Sequence, residues 1–516
     1  MEANEETATI INDEAILAGI GYKQELQRSW GLLQSFGVSF SIISVISGIT
    51  TLFGTGLNVG GPAVMVWGWI VVSVMTTLVA LGMAEIVSAI PTSGGPYFWS
   101  AVLTPRRYSG FAAWLTGWFN IGGQIAVTTG IDYSCANLIS STAAAVHSSY
   151  VSTPRNIIGI YTGLLISHGL CNTFGVRILG ILNYFSVILH SLGVGALAIA
   201  VVAKARTHQS ANFVFERFND GTGGWSERAS PAYVAVCGIL FTQYTITGFD
   251  ASAHMAEETS NASVSVPLGV LTSVIASSIF GFGVLLAFLF SIQDFQSTLT
   301  SPQPVLQIMI DVFGLKGAQV AITLIVLCVW HCGLFSLTSN SRMLYAFARD
   351  RGLPSRTFGV VHEKLKCPVQ TVWLSVVLAF LLGLSSFGSQ VALAAATSIA
   401  TIGLYISYGL PIFFSVLNEK NFTKGPFYLG RFSLPVRIVA CVWVGFITIV
   451  FCLPTQNPVT SKTLNFTPVV VGIIAIWAVV SWYLWAHRFF SGPVAFIDDP
   501  EPKQINETND NDVTEI

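Results

Sequence analysis

Two stretches of this 516-residue chain set glycine and hydroxyl side chains inside otherwise apolar runs. The first reads Ser41-Ile42-Ile43-Ser44-Val45-Ile46-Ser47-Gly48-Ile49-Thr50-Thr51. The second reads Gln243-Tyr244-Thr245-Ile246-Thr247-Gly248-Phe249-Asp250-Ala251-Ser252 and adds a carboxylate. Glycine weakens a helix and permits an unwound turn. At bilayer depth such a turn is tolerated only where it is buried in protein or lines a cavity. Its freed amides and carbonyls then bind rather than react, and suit a small charged solute. The plainer reading is that Gly and Ser let helices pack closely. Asp250 adds weight to the first reading. A mid-membrane carboxylate costs at least roughly 2.5–3.5 kcal/mol and persists only if protonated, paired or used. Its plainer role is to cap a second half-helix.

The elements that must carry these stretches are membrane helices. Hydrophobic residues make up 52% of the chain and Asp, Glu, Lys and Arg only 10%, against roughly 25% charged in a soluble domain. A crossing needs about 20 apolar residues. Twelve such runs occur, near 33–57, 63–90, 110–140, 155–173, 178–203, 232–257, 267–291, 318–341, 369–386, 389–416, 435–454 and 467–488. The narrowest division falls at Ser385-Ser386-Phe387-Gly388. Basic residues concentrate on cytoplasmic connectors, and an N-terminus inside puts 17 of the 24 Lys and Arg there, from Lys23 to Lys503. An even count with both termini cytoplasmic follows. The net charge of −2 and the absence of a basic block exclude a nucleic-acid partner. The first 30 residues are polar and acidic (Glu2, Glu5, Glu6, Asp13, Glu14) and lack the apolar core of a secretory signal. The eight dispersed cysteines form no C-x-x-C pair and read as small buried hydrophobes.

The two glycine-bearing runs are the first and the sixth, five apart. That spacing fits inverted repeats, each opened by a broken helix, and matched interruptions point to a transporter's central site. The expected organisation is an all-α membrane protein of about twelve transmembrane helices. A cytoplasmic tail (1–30) precedes a core (31–416) of two five-helix repeats, 31–203 and 232–416. Two additional helices (435–488) and a second cytoplasmic tail (489–516) follow.

Three motifs then stand in order at run ends. Pro91-Thr92-Ser93-Gly94-Gly95-Pro96-Tyr97 follows the second run and Glu85. Gly248-Phe249-Asp250-Ala251 precedes Glu257-Glu258-Thr259 and Pro267. Ser341-Arg342-Met343-Leu344-Tyr345-Ala346-Phe347-Ala348-Arg349-Asp350 leads into Gly352-Leu353-Pro354. With these, the chain resembles the amino acid–polyamine–organocation (APC) superfamily transporters, in particular the eukaryotic GABA, amino-acid and choline permeases. The likeness runs from about Tyr22 to Phe496. It implies a five-plus-five inverted repeat with two extra helices, working by alternating access.

The resemblance also assigns candidate residues. Ser47, Gly48 and Ile49 match the family's small-residue motif, although Ile46 stands where a second glycine is common. Free amides at the start of a half-helix suit a carboxylate, and Ile46 changes the shape of that cradle. Thr247 and Gly248 would offer carbonyls to an amino group, with Phe249 beside the substrate and Tyr244 one turn earlier. An aromatic face attracts an ammonium by about 0.5–2 kcal/mol, and lipid or core packing is the plainer use of each ring. Asp250 falls where some relatives carry an acid for proton sensing or gating. His190 falls where relatives place a lysine near helices one and eight. A free imidazole titrates near pH ~6.5, so a histidine there could gain and lose that charge. The alternative is a neutral histidine in a helix interface, the reading given to His168 and His331. Asn120 and Gln124 share a helix face and are expected at the cavity wall. Asp132, two turns further out, would draw substrates inward or face water at the interface. Ser336 and Thr338 are expected to add hydroxyls to the wall. Glu85, Glu257, Arg342, Arg349 and Asp350 would form an inner gate or a set of headgroup anchors.

The first functional expectation is a proton-coupled carrier of amino acids, including GABA, in the plasma membrane or an endomembrane. An organic-cation carrier for choline or polyamines is the alternative, supported by Asp132, Asp250 and the aromatics. An amino-acid exchanger or exporter is a variant of the first, and a channel or receptor without turnover is the third reading. No catalytic motif, metal-ligand spacing or cofactor fingerprint occurs. Gly54-Thr55-Gly56-Leu57-Asn58-Val59-Gly60 has the wrong spacing for a dinucleotide turn. Asn465-Phe466-Thr467 is a sequon that abuts the last run, where glycosylation is doubtful.

Overall fold

The computed structural model describes residues 13–19, 21–147, 149–174, 176–387, 393 and 399–493. Glu2, Glu5, Glu6, Gly175, Gly388, Phe496 and Lys503 lie outside the described residues, as do most of 389–398 and the end of the C-terminal tail. Among the described residues the chain is helical, with only isolated bridges such as Trp30 to Thr259.

Over the described residues, each of the twelve apolar runs coincides with a helix or an interrupted set of helices. The first is α1 (Leu32–Ile43) and α2 (Val45–Asn58). The next are α3 (Gly61–Ala89), α4 (Arg106–Val146) and α5 (Pro154–Thr173). The fifth run is α6 (Val176–Ile188), a π turn over Leu189–Gly193, and α7 (Val194–Lys204). The sixth is α8 (Pro231–Gly238), α9 (Leu240–Thr245) and the short α10 (Ala251–His254). Then come α11 (Ala262–Phe290), α12 (Pro304–Arg349), α13 (Val369–Gly383), α14 (Ile399–Leu417), α15 (Ser433–Cys452) and α16 (Thr467–Leu484). Helix α12 is longer than its apolar run because a kink at Gly314 (φ 69°) joins an outer helix to it.

Among the described residues nine of these helical units are long and apolar enough to cross a membrane. The runs at 110–140 and 155–173 fall short through their amides and hydroxyls, and the run at 232–257 through its interruption. The outer faces agree with a lipid setting. Ile181, Leu192, Ile199, Ile279, Val320, Val442, Ile449 and Ile476 are exposed apolar side chains spread over several of the long helices, more exposed apolar surface than a water-facing protein ordinarily carries. The eight cysteines are all free, and five of them are buried, in the packing role expected of them.

Helix α1 packs on α11, α3 on α11, and α4 between α12 and α14. These contacts enclose the paired breaks. The first break is not at Gly48, where the sequence suggested it, but four residues earlier. Ser44 takes left-handed angles (φ 32°, ψ 73°) between α1 and α2. Gly48 is helical and serves close approach: a Cβ there would sit 2.8 Å from the Thr245 Cα. The second break is at Gly248, as expected. Its φ of 90° is open to glycine and strained for other residues, and the chain is unwound over 246–250.

Candidate functional site

A small cavity of about 30 Å³ lies between the two breaks. Ile42, Ile43, Ser47, Gly48 and Thr51 line it from the first, and Tyr244, Thr245 and Thr247 from the second. Val127 and Ile131 of α4, Val329 and Cys332 of α12, and Thr401 of α14 complete the wall. No lining side chain is ionic. A second hollow shares Thr51 and Val329 with it and continues along α2 past Thr50, Ser134 and Asn137. The amides of Val45 and Ile46 open α2 and have no carbonyl a turn earlier within that helix. The Ser47 amide bonds the Ser44 carbonyl at 2.8 Å. On the other break, the Phe249 carbonyl accepts from Ser39 Oγ at 2.9 Å and the Ile246 carbonyl from Tyr405 at 3.3 Å.

Of the residues expected at the substrate, Ser47, Gly48, Tyr244 and Thr247 are on the cavity wall. Ile49, Gln124, Gly248, Phe249 and Asp250 are buried behind it. Phe249 packs on Tyr405 and Tyr408, with ring centroids 6.4 and 5.0 Å away. Asn120 and Gln124 point away from the wall. Asn120 donates to Ser407 Oγ at 3.0 Å, and Gln124 donates to Asp250 Oδ2 at 2.9 Å. Ser336 and Thr338 are likewise spent on packing hydrogen bonds. Ser336 meets Thr128 at 2.8 Å and Thr338 donates to Asn172 Oδ1 at 2.8 Å.

Asp250 is fully buried, and its carboxylate does not cap α10. Besides Gln124 it accepts from the Tyr408 hydroxyl at 2.6 Å and lies 3.2 Å from His254 Nε2. Asp132 is not at a watery interface. It is fully buried, with Oδ2 3.2 Å from His168 Nδ1.

His190 sits in the π turn, a form frequent at functional sites. Its Nε2 is 2.9 Å from Ser44 Oγ, and its Nδ1 is 2.9 Å from the Ser186 carbonyl. Ser44 Oγ in turn meets Ser47 Oγ at 2.5 Å. A chain of polar contacts therefore runs from His190 through the first break to the cavity wall.

The end of the bundle nearest the N-terminal segment is closed. Arg349 makes a two-pronged ion pair with Glu257, at 2.8 and 2.9 Å, and its guanidinium stands 4.0 Å over the Tyr22 ring. Tyr22 and Tyr97 both donate to Asp350, at 2.6 and 2.9 Å. Burial and the adjacent Asp350 push the Tyr22 phenol well above its usual range, so it remains a donor. Arg28 bonds the carbonyls of Ala256 and Thr259, and the Trp30 amide bonds Glu258. Arg342 pairs with Glu258 at 2.8 Å. Glu85 belongs to a separate cluster, accepting from Leu429 and Ser433 beside Arg437. Asn465 spends its side chain on the turn before α16, donating to the Phe451 and Leu453 carbonyls.

Sequence reasoning missed Ser44, His254, Glu258 and the tyrosine pair 405 and 408. His254 carried a readable signal, four residues after Asp250 and so on its helix face. Ser44 carried none, since a serine gives no warning of left-handed angles.

The Amino acid permease family profile matches residues 31–476. The chain is 43% identical over 500 residues to the rice "Amino-acid permease BAT1 homolog", covering 94% of this chain and 96% of that one. It is 40% identical to "Amino-acid permease BAT1" of Arabidopsis thaliana, over 93% of this chain and 96% of that one. It is 30% identical to the "GABA-specific permease" of Saccharomyces cerevisiae, over 96% and 88%. A bundle of apolar helices around two matched breaks, and likeness along nearly the whole length, place this integral multi-pass membrane protein in the amino acid permease family of the APC superfamily.

Proposed function

We propose that the chain is a secondary active carrier of amino acids with uncharged side chains, GABA among them, that moves substrate by alternating access with protons. The observation that carries this is the cavity bounded by both helix breaks and free of ionic side chains. A zwitterion brings its own two charges. Its carboxylate is suited by the first amides of α2, and its ammonium by carbonyls of the unwound 246–250 stretch and the Tyr244 ring. Substrate binding is thus assigned to Ser47, Gly48, Tyr244 and Thr247 on the wall, with Gln124, Phe249 and Asp250 shaping it from behind. The closed N-terminal end and the second hollow on the opposite side support an arrangement open away from the cytosol. The reading takes all twelve helical units as crossings and both termini as cytoplasmic.

His190 is the proposed coupling residue. The Ser186 carbonyl only accepts, so Nδ1 carries a proton and Nε2 is the titrating atom. Neutral, Nε2 accepts from the Ser44 hydroxyl. Protonated, it donates, and Ser44 turns its proton toward Ser47. Asp250 is the second proposed proton site. The organic-cation reading is weaker, because both acids that favoured it, Asp132 and Asp250, lie off the cavity wall. The test is uptake into proteoliposomes under an imposed inward proton gradient. Uptake of GABA or another neutral amino acid, insensitive to sodium, is expected. Competition by choline but not by GABA would decide for the cation carrier.

A further inference from the structure

We propose that His254 and Asp250 together hold one proton that locks the cytoplasmic seal, and that its loss frees the Ser93 turn. The geometry dictates the proton count. His254 Nδ1 is 2.9 Å from the Ser93 carbonyl, which only accepts, so Nδ1 bears hydrogen. His254 Nε2 is 3.2 Å from Asp250 Oδ2. That contact is attractive only if one of the two atoms is protonated. The pair is therefore imidazolium with carboxylate, or imidazole with carboxylic acid, and both forms hold one shared proton.

Removing that proton leaves the ring with a single N–H and two acceptors to serve. Asp250 keeps Tyr408 and Gln124 as donors, but a bare ring lone pair set against a buried carboxylate is repelled more strongly than one set against a carbonyl. The hydrogen goes to Nε2, and the Ser93 carbonyl loses its partner. The turn is built for this ring. Gly95 has φ 56°, and a Cβ there would lie 2.9 Å from His254 Cε1.

Ser93 passes the change on. Its amide donates to Glu257 Oε1 at 3.1 Å, and its Oγ accepts from the Glu257 amide at 3.3 Å. Glu257 holds Arg349 of α12, the ion pair of the seal. The other groups around the pair do not replace the proton. From α14 comes the Tyr408 hydroxyl, and from α4 the Gln124 amide, both donors to Asp250. From α1, Ser39 and the Ser35 carbonyl meet Ser252, neither α1 nor α11 carries a charged residue, and the arginines of α12, which also packs on α10, are taken up by other acids, Arg342 by Glu258 and Arg349 by Glu257.

The proposal rests on the carrier reading for its use but not for its test. Hydrogen–deuterium exchange of the 90–100 region is followed on the full chain in nanodiscs. Rates are corrected for intrinsic pH dependence and compared from about pH 5.5 to about pH 8.5. Corrected exchange at the Ser93 turn is expected to rise roughly tenfold in the unsubstituted protein, as for loss of one hydrogen bond to a charged group. Asp250→Asn keeps a donor facing Nε2 at every pH, and His254→Gln has no imidazole to titrate, so either variant is expected to exchange independently of pH. Flat exchange in the unsubstituted protein, or the same rise in both variants, overturns the proposal. Counterflow of labelled GABA and neutral amino acids in the same preparation judges the carrier reading separately. Flux with flat exchange removes the lock and keeps the carrier, whereas pH-dependent exchange without flux does the reverse.

Discussion

His190 Nε2 lies 2.9 Å from the hydroxyl of Ser44, the residue at which the first membrane helix turns left-handed and stops. The break and the imidazole share one hydrogen bond, so the charge on the ring and the shape of the break are linked. From this contact comes the first prediction. His190→Ala and His190→Gln remove the titrating atom and leave Ser44 with a fixed arrangement. Proton-driven accumulation in proteoliposomes should fall on the order of tenfold, the low end of a typical coupling free energy. Uptake with and without the imposed gradient measures it. Full gradient dependence in both variants contradicts the assignment.

Gly48 tests the close contact between the two broken helices. A Cβ at this position meets the Thr245 Cα at 2.8 Å and both branches of its side chain at 2.7 Å, and backbone cannot give way. Gly48→Ala should destabilise by about 1–3 kcal/mol, the usual result of overpacking, and abolish uptake by prying the cavity walls apart. Gly445 in α15 meets nothing within 4 Å. Gly445→Ala should be neutral or stabilising by up to about 1 kcal/mol. Thermal unfolding in detergent compares the two.

The seal residues should separate into those that hold the closed end and those that only brace it. Glu257→Gln leaves Arg349 without its carboxylate in a site where Glu257 is fully buried. Breaking such a pair costs about 3–5 kcal/mol. Arg349→Lys keeps the charge but not the two-pronged geometry, and should lie between that variant and the unsubstituted protein. Melting curves of the three proteins rank them. Equal melting temperatures would place this pair outside the stability of the closed end.

Asp132 should not steer solutes, since no water reaches it. Uptake KM should change less than about twofold over a salt range that shortens the screening length from roughly 10 to 3 Å. Asp132→Asn should lower the melting temperature by weakening the contact to His168 Nδ1, a loss of about 1–3 kcal/mol. A steep salt dependence of KM that this variant removes would return Asp132 to a steering role.

The helix breaks show how far the residues alone could be read. The apolar runs gave the helices, because lipid demands continuous stretches, and Gly248 marked the second interruption because its angles favour glycine. The first interruption was misplaced by four residues. Gly48 was the visible glycine, but packing against Thr245 claimed it, and the strain fell on Ser44, where His190 and Ser47 hold the hydroxyl. The cavity wall was half legible. Ser47 and Thr247 follow from their places beside the breaks. Phe249 and Asp250 lie behind the wall because Tyr405, Tyr408 and His254 draw them away; the two tyrosines are distant in sequence, whereas the four-residue spacing of His254 could have been read. The ion pairs of Arg342 and Arg349 were legible as opposite charges at helix ends, but Glu85 lies beside Arg437, which no spacing signals.

The account stands on a cavity between two interrupted helices that takes a zwitterion. Counterflow with purified protein tests it most directly: vesicles loaded with an unlabelled amino acid mixture receive labelled GABA, alanine or leucine outside. The account predicts transient accumulation of at least one label, displaced by neutral amino acids but not by choline, and lost when Gly48→Ala presses on Thr245 and pries the walls apart. No accumulation of any label, or displacement by choline alone, would contradict it.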